Sequence, residues 1–300
     1  MKNKKELIEM AFMTGGLVML TEMLSTLPPS ERKIAAYMID QPQEVISLTA
    51  SEIGKRSGTS SAAVIRLCKS LNLKGLPDLK IRIAGDLQKN PYSGLRDIEP
   101  NESAQSIIDK MTNNSIQTIR ETAELLSTEN LEKAVDKLKT ARRIHFFGIG
   151  ASSIIAQDAL QKFLRIDKIA YAFSDIHMAS TLVSTGNAED VAVGISFSGE
   201  TSEVQQFLQV AKEKGLTTIS LTKYGQSIVT EQADIPLFTS ATKEPTFRSG
   251  ATSSRIAQLQ VIDILFMCVA SLQYEKTVKH LHETREAIEF LRQPNKGKGK

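Results

Sequence analysis

The chain has 300 residues, a net charge of +3, 41% hydrophobic and 24% charged residues, and two cysteines. This length suits two domains, and the composition is that of a soluble globular protein. With no Trp and only 5% aromatic residues base stacking along a single strand is disfavoured, and Cys68 and Cys268 lie too far apart to indicate a disulfide framework or a metal-ligand spacing.

Lys2, Lys4 and Lys5 stand ahead of an apolar run from Ala11 to Leu20, the outline of a signal peptide. Glu6 and Glu9 intervene, Thr14 interrupts the run, and no small-residue cleavage site follows before Glu22, so the segment is not read as one. No run reaches the roughly 18–20 apolar residues of a membrane span. The chain is therefore expected to be cytoplasmic, with no membrane partner, and Met10 or Met13 is an alternative translation start. Residues 15–89 read as all helix. Gly16–Leu24 is apolar. Ser30 is placed as an N-cap with Glu31 in the first turn of a helix carrying Ile34, Ala35, Met38 and Ile39, and Pro42 opens a short third segment. Thr49 and Glu52 form a capping box for the helix from Ala50 to Ser57, which Gly58 ends as a left-handed C-cap. Thr59 and Ser60 open the next helix, whose Val64, Leu67, Cys68 and Leu71 fall at i, i+3, i+4, i+7 and face a core.

Two short helices joined by a tight Gly-containing turn form a helix-turn-helix, with small, polar and basic groups near the start of the second helix, where base edges are read. Residues 51–89 hold eight Lys or Arg against three acids, a basic module that calls for a polyanionic partner. Thr49, Ser60, Ser61, Ala62, Arg66, Lys69 and Lys74 are the expected DNA contacts; the serine hydroxyls suit phosphates, and Arg66 and Lys69 suit phosphates or guanine. A plain helical hairpin with a solvated face is the alternative.

Residues 90–103 are turn-rich and read as a linker. Helices follow from Ala104 to Leu126 and from Leu131 to Leu138. From Arg142 strands and helices alternate: strand 144–147, a Gly148-Ile149-Gly150-Ala151-Ser152-Ser153 turn into a helix, strand 169–173, a helix over 175–183, strand 191–197, strand 217–221, a helix near 227–233, strand 235–239 and a long helix over 251–271. Five strands separated by helices predict a parallel sheet covered on both faces, an α/β domain behind the all-α one. The predicted boundaries are 1–89, 90–103, 104–292 and a disordered tail over 293–300.

Ser196-Phe197-Ser198-Gly199-Glu200-Thr201 joins a buried strand to a helix start. Such a start offers unpaired N–H groups and partial positive charge to a phosphate. Gly199 permits a tight turn and close approach, and Ser196, Ser198 and Thr201 supply neutral hydroxyls. A hydroxyl that merely caps the helix is the bland alternative. The Gly148-x-Gly150 turn lacks the third glycine of a dinucleotide fingerprint, which would fall at Ser153. Ser152 and Ser153 are instead expected to share a pocket with the 196–201 turn, because ligands sit at strand carboxyl ends in such sheets. His177 either meets the ligand or a neighbouring subunit, or is structural. Arg248, in the cluster Arg248-Ser249-Gly250-Ala251-Thr252-Ser253-Ser254-Arg255, either completes the ligand site or pairs across a dimer interface. Glu200 is the turn's one carboxylate, more in keeping with helix-dipole compensation than with a general base. His280 and His282 do not share a helix face, so no metal or other cofactor is expected.

The phrases Pro28-Pro29-Ser30-Glu31-Arg32-Lys33, Ala63-Val64-Ile65-Arg66-Leu67-Cys68-Lys69-Ser70-Leu71, Lys80-Ile81-Arg82-Ile83-Ala84-Gly85-Asp86-Leu87 and Ala251-Thr252-Ser253-Ser254-Arg255 resemble the RpiR-type bacterial transcription regulators, a helix-turn-helix joined to a sugar-isomerase (SIS) domain. Within that family the likeness is to MurR-like regulators of N-acetylmuramic acid use. The resemblance implies that Ser196, Ser198 and Thr201 form a phosphate-binding turn and that Ser152 adds a hydroxyl. The lack of an acid–base pair near the turn tells against an enzyme. The expected function is a homodimeric or homotetrameric repressor that binds double-stranded operator DNA and answers to a phosphorylated sugar, N-acetylmuramic acid 6-phosphate. A sugar-phosphate isomerase or etherase with a basic accessory domain is the competing expectation. The sequence departs from many helix-turn-helix motifs at Gly54, where Ala is usual and Gly should cost about 0.5–1 kcal/mol, and at Thr59, where an apolar residue is usual.

Overall fold

The computed structural model describes residues 15–87, 101–240 and 251–292. They form two compact units. The first gathers the described residues up to Leu126, with Lys223–Gly225 and those within Phe238–Ala257; the second holds Ser127–Thr222, Gln226–Leu237 and the described residues from Gln258 onward.

In the first unit α1 (Gly16–Met23), α2 (Pro29–Asp40), α3 (Pro42–Val45), α4 (Ala50–Arg56), α5 (Ser61–Ser70), α6 (Leu76–Leu87) and α7 (Ala104–Leu125) surround one apolar core. Leu20, Ile34, Met38, Ile53, Val64, Leu67, Leu71 and Leu79 are fully buried there, each contributing about 1.5–3 kcal/mol by leaving water. Leu125 of α7 belongs to the same cluster. The start of α1 has no local side-chain cap. Asp86, far along the chain, replaces it, accepting from Gly15 N at 2.6 Å and Leu17 N at 2.8 Å. The expected cap at Ser30 is corrected: the N-cap of α2 is Pro28, with Pro29 as its first residue. Proline's fixed φ suits that first position, so the helix begins two residues earlier and Ser30 lies inside it.

In the second unit α8 (Thr128–Thr140) precedes an alternation of β1 (Ile144–Gly148), α9 (Ala151–Leu164), β2 (Ala170–Phe173), α10 (Ile176–Val183), β3 (Val191–Ile195), α11 (Ser202–Glu213), β4 (Thr217–Lys223) and β5 (Ile235–Thr239), followed by α12 (Thr252–Leu272) and α13 (Tyr274–Arg292). The five strands form one parallel sheet in the order β2-β1-β3-β4-β5. Alternate residues of the central strand β1 serve opposite faces, as a two-residue period demands. Phe146 meets Phe163 of α9 at 5.5 Å between ring centroids, and Phe147 meets Phe207 of α11 at 5.1 Å. The helix expected near 227–233 is a single 3-10 turn over Thr230–Gln232, because the Ser227 and Thr230 hydroxyls bond the local backbone and compete with a longer helix. Among the described residues α12 alone is long and apolar enough to cross a membrane by length and composition. Its apolar residues are no uninterrupted run, since Arg255, Gln258, Gln260 and Asp263 fall among them, and Val261, Ile262, Leu265 and Val269 are buried within the second unit.

At the amino ends of β1 and β3, Asp190 is buried and accepts from Arg142 at 3.0 and 2.8 Å, from Arg143 Nη2 at 2.7 Å and from Asn187 N at 3.2 Å. Burial pushes its pKa up, but the guanidiniums and the Asn187 N–H outweigh burial and hold the carboxyl well below the usual range. A cavity of about 500 Å³ opens beside it, lined by Lys137, Thr140, Arg142, Ala188, Glu189, Val191 and Thr217. His145 of β1 is buried, stacks on Tyr171 at 5.7 Å, and has no hydrogen-bond partner for either ring nitrogen among the described residues. Burial pushes its imidazole down to about 4, while Asp190 acts in the opposite direction.

Candidate functional sites: an exposed helix face and an uncapped turn

The helix-turn-helix is built by local bonds. Thr49 Oγ1 accepts from Glu52 N at 3.3 Å and Glu52 Oε2 accepts from Thr49 N at 2.7 Å, a reciprocal box. That backbone bond leads the causes that hold the Glu52 pKa down. Gly58 turns at φ +66°, and Thr59 N donates to Gly54 O at 2.7 Å. Ser60 is the N-cap of α5, its hydroxyl accepting from Ala63 N at 3.3 Å. Gly54 serves a purpose the sequence reading counted only as a cost. A Cβ there would meet Ser60 C at 2.7 Å and Ser61 N at 2.9 Å, so its absence lets the start of α5 lie directly on α4. Thr59, in the place of an apolar residue, is partly buried and shares a 2.9 Å hydrogen bond with Ser57.

On α5, Ala63, Val64, Leu67 and Cys68 face the core, and burial pushes the Cys68 thiol up to about 11. The opposite face exposes Ser61, Ala62, Arg66 and Lys69. It also exposes Ile65, at 44%, a residue the sequence reading passed over although its spacing of four from Ser61 and Lys69 places it on that face. Thr49, Ser60 and Lys74 are exposed as well, but the hydroxyls of Thr49 and Ser60 are committed to helix starts.

In the second unit the chain runs β1, β2, then back across β1 to β3, so β1 and β3 flank the switch point of the sheet, where ligands of such folds bind. Gly148 pairs in register with Ile195. The 149–153 turn and the 196–201 turn therefore leave neighbouring strand ends, bringing Ser152 and Ser153 to the same edge as the hydroxyl turn. Gly199 takes φ +76°, and a Cβ there would meet Ser227 Oγ at 2.3 Å, so only glycine fits. Ser196 is buried, and its hydroxyl shares a 2.8 Å hydrogen bond with Thr201 and accepts from Gly199 N at 3.2 Å. Ser198 accepts from Glu200 N at 3.1 Å. Thr201 is the N-cap of α11 but makes no side-chain capping bond. The three hydroxyls thus brace the turn and one another, and the helix start keeps its outward N–H groups for something else.

Ser152 is buried and pairs with Gln258 of α12, whose Nε2 donates to Ser152 Oγ at 3.2 Å. Gln258 is 1% exposed; nothing local in the sequence marks it, since its partner lies 106 residues away. Ser153 Oγ donates to Gly150 O at 2.7 Å. Glu200 is exposed on the turn. His177 is exposed in the first turn of α10, where Asp175 Oδ1 accepts from Met178 N at 2.9 Å. Arg248 lies outside the described residues. Arg255 is inside α12 as expected, and its Nε donates to Ala251 O at 2.8 Å. Among the described residues no group of three or more His, Cys, Asp or Glu is placed to hold a metal ion.

A helix-turn-helix followed by an SIS domain defines a class of transcriptional regulator. Residues 14–90 match the family model of the helix-turn-helix domain, rpiR family, and residues 137–268 match that of the SIS domain. The chain is 49% identical to the uncharacterized HTH-type transcriptional regulator YbbH of Bacillus subtilis over 93% of its own length and 99% of that protein's. It is 43% identical to an uncharacterized HTH-type transcriptional regulator of Caldanaerobacter subterraneus over 92% of this chain and 98% of that one. Among solved structures, the Vibrio vulnificus NanR protein complexed with ManNAc-6P is similar, with 26% identity, a TM-score of 0.58 and coverage of 92% of this chain and 99% of that one. The chain belongs to the rpiR family of HTH-type transcriptional regulators.

Proposed function

We propose that this regulator is a cytoplasmic repressor of amino-sugar catabolism, that α5 enters the major groove of an operator, and that the SIS domain binds an N-acetylated amino-sugar 6-phosphate. The observation that carries the effector half is the 196–201 turn: three hydroxyls and Gly199 leave the start of α11 without a side-chain cap, the arrangement a phosphate fills. Ser152 and Ser153 approach from the next strand, and His177 and Arg248 belong to the proposed site. NanR was solved with ManNAc-6P, and N-acetylmuramic acid 6-phosphate, implied by the MurR-like resemblance, shares its N-acetylhexosamine 6-phosphate chemistry. The protein acts as a homodimer or homotetramer, so that an effector changes the spacing of two recognition helices. In this reading the SIS domain binds its sugar phosphate without turning it over, which the naming of the similar full-length proteins as transcriptional regulators supports.

The test is a gel shift on DNA from upstream of the protein's own gene, with and without a panel of 6-phosphosugars. One N-acetylated 6-phosphate alters binding, Ser196→Ala blunts that response and Arg66→Ala abolishes binding. No DNA binding at physiological salt, together with turnover of a 6-phosphosugar by the purified protein, would replace this reading with the isomerase or etherase one.

A further inference from the structure

Arg66 is the arginine of the proposed recognition helix, and it does not stand free. Its Nε lies 3.8 Å from Glu31 Oε1 on α2. The Glu31 side chain is 6% exposed, against 57% for Arg66. The other carboxylate oxygen accepts from Ser70 Oγ at 2.8 Å. One buried acid thus holds two residues of α5 that are one helical turn apart.

A buried carboxylate persists only where its charge is met. Glu31 sits in the first turn of α2, behind Pro28 and Pro29 and with no side-chain cap, so it also offsets the positive end of that helix. The pattern repeats nearby: Arg56 is ion-paired with Glu44, and Glu44 accepts from Tyr37 Oη at 2.7 Å. Arg66 and Arg56 are thus tethered by acids that are themselves held by hydroxyls, whereas Lys55, Lys69 and Lys74 are exposed and not ion-paired among the described residues. This division suits the chemistry of the two side chains. A lysine serves a phosphate as a point charge, while an arginine reads a base edge only when its plane is fixed.

We propose that Glu31 is a positioning residue for DNA recognition: it orients Arg66 toward base edges and weakens that arginine's pull on phosphates at large. The proposal rests on the reading of α5 as the DNA-contacting helix.

The experiment is a fluorescence-anisotropy titration across a salt series on two duplexes of equal length, one from upstream of the protein's own gene and one of random sequence. The proteins are wild type, Glu31→Gln, Arg66→Ala and the double variant. Glu31→Gln is expected to bind the random duplex about 2–5-fold more tightly, to steepen its slope of log affinity against log salt by about one, and to lose preference for the upstream duplex by a similar factor. In the Arg66→Ala background the same change should move none of these. Glu31→Asp, which withdraws the carboxylate by one methylene, should act in the same direction and serves if the glutamine variant does not fold. A purely structural Glu31 would lower the melting temperature and weaken both duplexes alike with the slope unmoved, overturning the proposal, as would equal effects with and without Arg66. Wild type that binds neither duplex overturns the DNA-binding reading, and the positioning role falls with it.

Discussion

The turn before α5 and the turn before α11 share their ingredients. Each has a glycine at positive φ, Gly58 at 66° and Gly199 at 76°, and each places serine and threonine at a helix start. They use them differently. Ahead of α5 the hydroxyl of Ser60 caps the helix, as Thr49 does ahead of α4. Ahead of α11 the hydroxyls of Ser196 and Thr201 bond each other, and the helix start goes without a side-chain cap. A hydroxyl spent on its own helix contributes stability; one withheld from it leaves backbone donors for a guest. The two turns therefore differ in what a mutation should remove.

The largest expected effect is at Gly199. Gly199→Val forces a branched side chain into a left-handed position and into Ser227, and should cost about 2–4 kcal/mol, read as a fall in melting temperature with no remaining shift on adding a 6-phosphosugar. A melt like wild type would break the account of this turn. In α4, beside the other turn, Gly54→Ala should cost about 1–3 kcal/mol from overpacking against Ser60 and Ser61, although alanine favours helix. Chemical denaturation would show it, and a stabilised variant would mean that α4 and α5 can slide apart.

Acid should destabilise the unit that contains the 196–201 turn more than it destabilises the helix-turn-helix. The imidazole of His145 falls from an ordinary 6.5 to about 4 on folding. The unfolded chain then binds more protons below pH 6.5, so this unit loses stability as pH falls from 6.5 toward 4 and keeps it above. The loss is on the order of 2 kcal/mol at pH 5. His145→Phe should melt at nearly the same temperature at pH 7 and pH 5, where wild type drops.

The smallest effects sharpen the comparison most. Ser60→Ala removes a cap and should cost about 1 kcal/mol with the effector response intact. Ser198→Ala should change stability by less than about 0.5 kcal/mol and yet weaken effector binding roughly tenfold, the worth of one hydrogen bond to a charged group. Paired melts with and without the sugar phosphate distinguish the two.

Local chemistry was legible in the sequence. The Thr49–Glu52 box, the left-handed Gly58, the buried stripe of α5 and the β-α alternation all follow from residues a few positions apart. What escaped depends on distant partners. Gln258 reveals itself only opposite Ser152, Glu31 only once α2 and α5 pack, and the value of Gly54 only when the start of α5 lies on it. The segment near 227–233 misled because its hydroxyls take backbone bonds that a helix would need, and Ser30 misled because Pro29 already begins the helix.

The Asp190 knot has a mechanical meaning. β1 and β3 lie side by side without following each other in the chain, and the two turns proposed to hold the effector leave their far ends. At the near ends one carboxylate grips two adjacent arginines just before β1 and itself directly precedes β3. It clamps the near ends of two strands that stay paired in register from Ile144–Val191 to Gly148–Ile195, so the two loops leave a common rigid base rather than two independent ones.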